Sequence, residues 1–217
     1  MLRKYFNYKL IVSMAINFAM LVTAVCAQQL TTIKLNAPNK DRGASVMRAL
    51  SARQSANEYS DKLLSVSDMS DLFWAANGIN RENGRRTAPS AMNAQDVILY
   101  AFTPQGVYIY DAETHELKPV VAGDQRLVFG ERGMAPLIVL MASDVSKFGD
   151  RIPLDLRREF GAIDVGTVSQ NIAIFCAGNG ILTHPRASMD RDEIKKLLHL
   201  SEFQLPMLNN AIGYPKN

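Results

Sequence analysis

The feature that most narrows the possible folds is a run at residues 164–177 (DVGTVSQNIAIFCA), which is apolar nearly all the way round a helix. A helix with one apolar stripe lies on a surface, whereas one that is apolar on every side needs cover on every side. Residues 137–141 (LIVLM) add a second constraint. An uninterrupted apolar run that short reads as a central strand buried on both faces. A buried helix and a doubly covered strand belong together in a layered domain around one core. The chain has 217 residues, 47% hydrophobic and 21% charged, which supplies such a core and excludes a disordered chain.

The other segments supply the layers. Residues 28–40 are polar and read as irregular, and residues 41–51 read as a helix. Ser67 is placed as the N-cap of the next helix, in which Met69, Leu72, Phe73 and Ala76 follow i, i+3, i+4, i+7 spacing and Gly78 is the stop. Residues 81–90 (RENGRRTAPS) form a polar loop marked by Gly and Pro. Residues 97–102 (VILYAF) and 107–110 flank Thr103-Pro104-Gln105-Gly106 as a hairpin. Asn179-Gly180 ends the apolar helix, Asp190-x-x-Glu193 starts another, and residues 205–212 make a last strand. Helices intermixed with a hairpin define an α+β domain with a mixed or antiparallel sheet.

Charge separates the two ends of the chain. The formal net charge is +3, and Arg3, Lys4 and Lys9 supply three positive charges in a stretch, residues 1–27, without Asp or Glu. Without that stretch the charge is 3 − 3 = 0. A neutral domain carries no basic footprint, which argues against nucleic acid as a partner. The stretch itself has a basic start, an uncharged core at residues 10–27, and Val25-Cys26-Ala27 before Gln28, the pattern of a cleaved signal peptide. The expected organisation is therefore a signal peptide at 1–27, a linker at 28–44 and a domain at 45–217, with export from the cytoplasm. Two other readings stay open, each of which would tie the chain to a membrane. Eighteen apolar residues at about 1.5 Å each reach roughly 27 Å, almost a bilayer core. Cys26 is a conceivable lipidation site, although Thr23-Ala24-Val25 makes a poor lipobox. Cleavage leaves Cys176 as the one thiol, so no intramolecular disulfide is expected, and its apolar setting makes it a core residue. His115, His184 and His199 lie far apart with no paired Cys or His, so no metal site is expected.

Several separated segments, in order, resemble the nitroreductase family of flavoproteins. Residues 50–59 (LSARQSANEY) are similar to the family's R-x-S-x-R stretch, residues 72–78 (LFWAANG) to its L-L-W-A-A-x-G helix end, and residues 86–95 (RTAPSAMNAQ) to its R-x-x-P-S-A-x-N-x-Q loop. Asp164-x-Gly166, Gln170-Asn171 and Gly180-Ile181 resemble its D-x-G…Q-N…G-L helix, and Ile212-Gly213-Tyr214-Pro215 its V-G-Y-P close. The resemblance spans about residues 45–216. It implies a nitroreductase-like fold and a homodimer with FMN bound in a groove between subunits.

What the resemblance implies for single residues can be set beside their chemistry. Arg53 offers a guanidinium fork and Ser55 a hydroxyl for the FMN phosphate. Asn57 stands where the family has a second basic residue. It can hydrogen-bond but brings no charge, so Arg186 or Lys216 are candidate substitutes. Pro89, Ser90 and Ala91 would lie against the flavin ring in a loop often contributed by the partner subunit, with the Asn93 and Gln95 amides suited to the ring's edge. Ala187 falls where relatives often use a Gly whose backbone amide reaches the isoalloxazine. His184 reads as a structural or surface imidazole, and Trp74, Tyr108 and Tyr110 as core or sheet-face residues. No side chain is nominated as catalytic, because the cofactor carries the chemistry.

The implied function is an FMN-dependent oxidoreductase passing two electrons through flavin N5 in a ping-pong cycle, from a small-molecule donor to a nitroaromatic, quinone or similar acceptor. Two alternatives differ in class. A dehydrogenase of the SagB type would run the flavin the other way, with a peptide or other small organic donor. A non-enzymatic flavin-binding module would fit the departures at Asn57 and Ala187. Export also predicts a reductant other than NADH or NADPH, and no G-x-G-x-x-G fingerprint follows a strand.

Overall fold

The computed structural model describes residues 29–131 and 134–216; the leader at residues 1–27 and Gln28 lie outside them. Seven strands among the described residues form one sheet: β1 (Ile33–Lys34), β2 (Val97–Phe102), β3 (Gly106–Asp111), β4 (Glu116–Ala122), β5 (Leu137–Asp144), β6 (Leu182–Arg186) and β7 (Gln204–Gly213). Their order is β1-β4-β3-β2-β5-β7-β6, and every neighbouring pair is antiparallel. The described helices are α1 (Val46–Ala52), α2 (Val66–Asn77), α3 (Leu154–Gly178) and α4 (Arg191–Leu197), alongside short 3-10 turns. This is the expected α+β arrangement, with the sheet antiparallel rather than mixed.

β5 is the central strand the apolar run predicts. It lies between β2 and β7, and residues 137–141 are each at most 2% exposed. Strand alternation divides its side chains between two cores. Leu137, Val139 and Met141 join Leu72 and Phe73 of α2 and Val168 and Ile172 of α3. Ile138, Leu140 and Ala142 face Phe102, Phe129 and Ile194 of α4.

Three local expectations change. First, α3 begins at Leu154, ten residues before the apolar run: its opening turns (LDLRREFGAI) interleave charged residues with apolar ones, and all but Arg157, Phe160 and Gly161 are exposed. Nor is it covered all round in one chain. Val165, Val168, Ile172 and Cys176 are buried, while Ile163 is 63% exposed and Gly166 and Gln170 are exposed. Second, the N-cap of α2 is Ser65, not Ser67: the Ser65 hydroxyl accepts from the Asp68 N–H at 3.0 Å and donates to its carboxylate at 2.7 Å. Third, residues 29–44 are not wholly irregular. β1 pairs with β4, and the Asn36 and Asn39 N–H groups donate to Ser70 and Asp71. β4 carries no strand signal of its own, since ELKPVVA contains a Pro and mostly solvated side chains. It is recruited by pairing with β3 rather than by apolar pattern.

The Ser65 cap carries a prediction. Asp68 also receives Arg42 at 2.7 Å and the Tyr214 hydroxyl. Ser65→Ala is expected to lower stability by about 1 kcal/mol, the usual value of such a cap. Urea unfolding reads it, and an unchanged midpoint would show the cap to be redundant with the Arg42 and Tyr214 contacts.

Candidate functional site

The first cluster lies where α1 meets the sheet edge. After Ala52 the chain leaves helical geometry, Arg53 being extended at φ −60, ψ 122. Ser55 then forms a parallel bridge to Thr183 of β6, and the Ala56 N–H donates to Thr183 O at 3.1 Å. Ala56 O accepts from the Tyr59 hydroxyl at 2.7 Å and from His184 Nδ1 at 3.2 Å, so the segment is pinned from both sides. Arg53 and Ser55, two apart on an extended stretch, share a face. The side chains of Arg53, Ser55 and Asn57 are exposed and make no hydrogen bond or ion pair among the described residues. His184 is thus structural, holding the segment through Ala56.

Arg186 closes the same cluster from the end of β6, the strand formed by the Thr-His-Pro-Arg segment. Its Nε donates to Asn209 Oδ1 at 3.3 Å, and Asn209 Nδ2 donates to the carbonyls of Arg186 and Ser188, both at 3.1 Å. One fully buried amide therefore fixes the Arg186 side chain and the turn that carries exposed Ala187. On the other face of β7, Asn210 Oδ1 accepts from Ser169 of α3 at 2.8 Å and its Nδ2 donates to Thr183 Oγ1 at 3.2 Å. Burial pushes the Tyr59 hydroxyl up to about 12, and the Arg186 guanidinium beside it pulls the other way. Burial also moves Arg186 below its ordinary value. Sequence reasoning missed Asn209 and Asn210, whose signal was two adjacent amides inside an apolar strand (LPMLNNAIG). Lys216, beyond the end of β7, pairs with Glu58 at 3.1 Å, with both side chains largely exposed.

The second cluster is the loop at residues 89–95. Both oxygens of Asp164 on α3 accept from the Ala91 N–H, at 2.8 and 3.0 Å, while the Thr167 hydroxyl donates to Asp164 O at 2.7 Å and stands 3.3 Å from Pro89 O. Ser90 Oγ accepts from the Gln95 N–H at 2.9 Å. Met92, Asn93 and Gln95 have φ of 54°, 55° and 50°, a left-handed geometry that side-chain-bearing residues keep only when their surroundings enforce it. Pro89, Met92 and Asn93 are exposed. The Gln95 amide is spent within the loop, accepting from Arg86 Nε at 3.2 Å and donating to Gly84 O at 3.1 Å.

The two clusters do not meet within one chain: no hydrogen bond joins residues 53–57 to residues 89–95 among the described residues. The loop is held at Asp164, whereas a hollow of about 290 Å³ beside Arg53 is lined by Gln54, Thr183, Ala173 and Ala177. Thirteen residues of helix separate Asp164 from Ala177, about 20 Å along the axis at about 1.5 Å per residue.

The comparisons with known proteins agree with this fold. Residues 50–214 match the nitroreductase family model. A solved nitroreductase homologue from Ralstonia eutropha JMP134 is 30% identical, with a TM-score of 0.82 over 88% of this chain and 92% of that one. A nitroreductase homologue of Methanocaldococcus jannaschii is 25% identical over 177 residues, 74% of this chain and 86% of the relative. A Staphylococcus epidermidis protein whose structure carries the name NAD(P)H:FMN oxidoreductase shares the fold at 12% identity, with a TM-score of 0.59 over 85% of this chain and 92% of that one. The chain belongs to the nitroreductase family, and that membership makes it an oxidoreductase, with flavin the cofactor typical of the family.

Proposed function

We propose that this chain is an FMN-dependent oxidoreductase that acts as a homodimer, moving electrons between a small organic donor and an acceptor such as a quinone or nitroaromatic. The observation that carries the reading is the segment at residues 53–57. It is clamped to β6 by backbone contacts while Arg53, Ser55 and Asn57 stay exposed and uncommitted beside half-buried Arg186. Such a set fits a phosphate, with forked and single donors on a fixed backbone. FMN, when bound, supplies the two-electron chemistry.

The chain's own residues would do the rest. Arg53 and Ser55 would grip the phosphate, and Asn57 would add a neutral donor. The loop at residues 89–91 would lie on the ring of an FMN held by the other subunit. That division follows from the separation of the two clusters along α3. Two α3 helices packed antiparallel about a two-fold axis bring one chain's loop towards the other's Arg53 segment, and such an axis makes two equal sites. The solvent-facing stripe Ile163, Gly166, Gln170, together with exposed Val46, Met47 and Leu50 of α1 and Met92 of the loop, supports this packing.

The name carried by the Staphylococcus epidermidis protein supports both FMN and a nicotinamide as its reductant. We propose that the physiological reductant here is different, because the signal-peptide pattern at residues 1–27 argues for export, away from nicotinamide pools. Purified chain is expected to show a flavin spectrum on adding FMN and to pass electrons to quinones. Its flavin should bleach more slowly with NADH or NADPH than with a quinol or thiol. Absence of flavin binding at saturating FMN would overturn the function, fast bleaching by a nicotinamide alone would overturn the donor, and an intact Met1 on the mature chain would overturn cleavage.

A further inference from the structure

We propose that Gln95 is the positioning residue of the Pro89-Ser90-Ala91 loop: braced by Arg86 and Gly84, it fixes the Ser90 hydroxyl as a proton donor to the flavin ring that the loop would cover. The role of Ser90 towards flavin rests on the function proposed above, whereas the brace itself does not.

Each polar group of Gln95 meets a partner within the chain. Its Oε1 accepts from Arg86 Nε at 3.2 Å, and its Nε2 donates to Gly84 O at 3.1 Å. Its main-chain O accepts from Lys147 Nζ at 2.9 Å, and its N–H donates to Ser90 Oγ at 2.9 Å. An amide suits this place because the guanidinium needs an acceptor and the carbonyl needs a donor. A carboxylate would set an oxygen against Gly84 O, and an ammonium would face Arg86.

The brace reaches the packed body of the domain. Arg86 Nη1 donates at 3.1 Å to the carbonyl of Asn77, the last residue of α2. Asn77 is buried, and its Nδ2 donates to Val97 O of β2 at 3.2 Å. Arg86 also bridges Ile79 in antiparallel fashion, and the Thr87 N–H donates to Gly78 O at 2.9 Å. A line of contacts therefore runs from α2 and β2 through Arg86 and Gln95 to Ser90. Gln95 itself has φ of 50°, and Met92 and Asn93 before it have 54° and 55°. Residues with side chains keep this left-handed backbone only where surrounding bonds hold it, and the bonds of Gln95 do so here.

The consequence falls on Ser90. Half-buried, it takes the Gln95 N–H on one lone pair, which turns the hydroxyl proton away from Gln95. That proton meets no acceptor among the described residues. The backbone on both sides is fixed, since Ser90 O accepts the Asn93 N–H at 3.0 Å and Asp164 holds the Ala91 N–H. A donor already in place before charge develops on a ligand costs no reorganisation when the charge appears. Two-electron reduction adds electron density to a flavin ring, and hydrogen bonds around the ring tune its potential. A fixed Ser90 donor therefore favours the reduced form over the oxidised one.

The test compares wild type with Ser90→Ala, Gln95→Gly and the double variant, each as the full chain. Glycine keeps the main-chain N–H and accepts φ near 50° without strain, so Gln95→Gly removes the side-chain brace and leaves the bond to Ser90 available. Without FMN, hydrogen exchange at the Ala91 and residue 95 amides is expected to quicken about ten-fold in Gln95→Gly. With FMN, Gln95→Gly and Ser90→Ala are each expected to weaken reduced flavin about ten-fold more than oxidised flavin. That lowers the potential of the bound flavin by about 30 mV. The double variant should show the same drop and no more, because Gln95 acts through Ser90. Unchanged exchange in Gln95→Gly, an unchanged potential in either single variant, or drops that add in the double variant would overturn the proposal. A wild type that binds no FMN, with faster exchange in Gln95→Gly, would sustain the brace and overturn the flavin reading. Should Gln95→Gly fail to fold, Gln95→Glu takes its place, since it keeps an acceptor for Arg86 and loses the donor to Gly84 O. Exchange and potential both unchanged in Gln95→Glu would then overturn the proposal.

Discussion

Arg53→Ala is expected to weaken FMN by roughly 10- to 150-fold, the loss of about 1.5–3 kcal/mol from a hydrogen bond to a charged group. The effect should be clean, because the Arg53 side chain makes no hydrogen bond or ion pair within the chain and its backbone N–H, bonded to Ala49 O at 2.9 Å, survives the change. Stability without ligand should therefore stay within about 0.5 kcal/mol. Riboflavin, which lacks the phosphate, separates this role from a general one. Its affinity should be the same in mutant and wild type if Arg53 acts on the phosphate. Isothermal titration of both ligands makes the measurement, and equal FMN affinity in mutant and wild type would remove Arg53 from the site. Lys216→Ala should do far less, since that ammonium is largely exposed and already paired with Glu58.

Met47→Asp is expected to dissociate the dimer and to lower FMN affinity with it. Met47 is 76% exposed on α1, beside Val46 at 63% and Leu50 at 44%, and Ile163 on α3 is 63% exposed. In the proposed dimer this face is covered, so a carboxylate there must be dehydrated without a partner, a penalty of several kcal/mol. That corresponds to a rise in the dimer dissociation constant on the order of a hundred-fold or more. Because each site would draw its phosphate segment from one chain and its ring loop from the other, a ligand bound only by the assembled form stabilises it by mass action. Sedimentation with and without FMN should show the two losses together. Val120→Asp, on exposed β4 at the other side of the sheet, is the control and should change neither. A holoprotein that stays monomeric at high concentration, or a Met47→Asp protein that keeps its flavin, would refute a site built from two chains.

Elements that carry their own chemistry were legible in the chain. The β2–β3 hairpin, the doubly buried β5, the Asp190 cap of α4 and the Asn179-Gly180 stop all rest on periods and caps spanning a few residues. Ordered motif fragments along residues 50–214 were enough to indicate the family, because local backbone demands such as Pro89-Ser90-Ala91 leave a trace in residue type. The start of α3, the strand β4 and the true cap at Ser65 left little trace, since each depends on which neighbour pairs with it or on solvated side chains that carry no pattern. The same holds at the site. Arg53, Ser55 and Pro89 enter the proposed site by residue type and family resemblance alone. That Asn209 holds Arg186, that Gln95 is consumed by Arg86 and Gly84, and that Asp164 reaches Ala91 across 73 residues are facts of distance, which no local pattern encodes. Residue chemistry is written in the chain one position at a time, whereas contacts between buried polar groups exist only after the sheet and α3 have packed, and there the cost of an unpaired polar atom selects the partner.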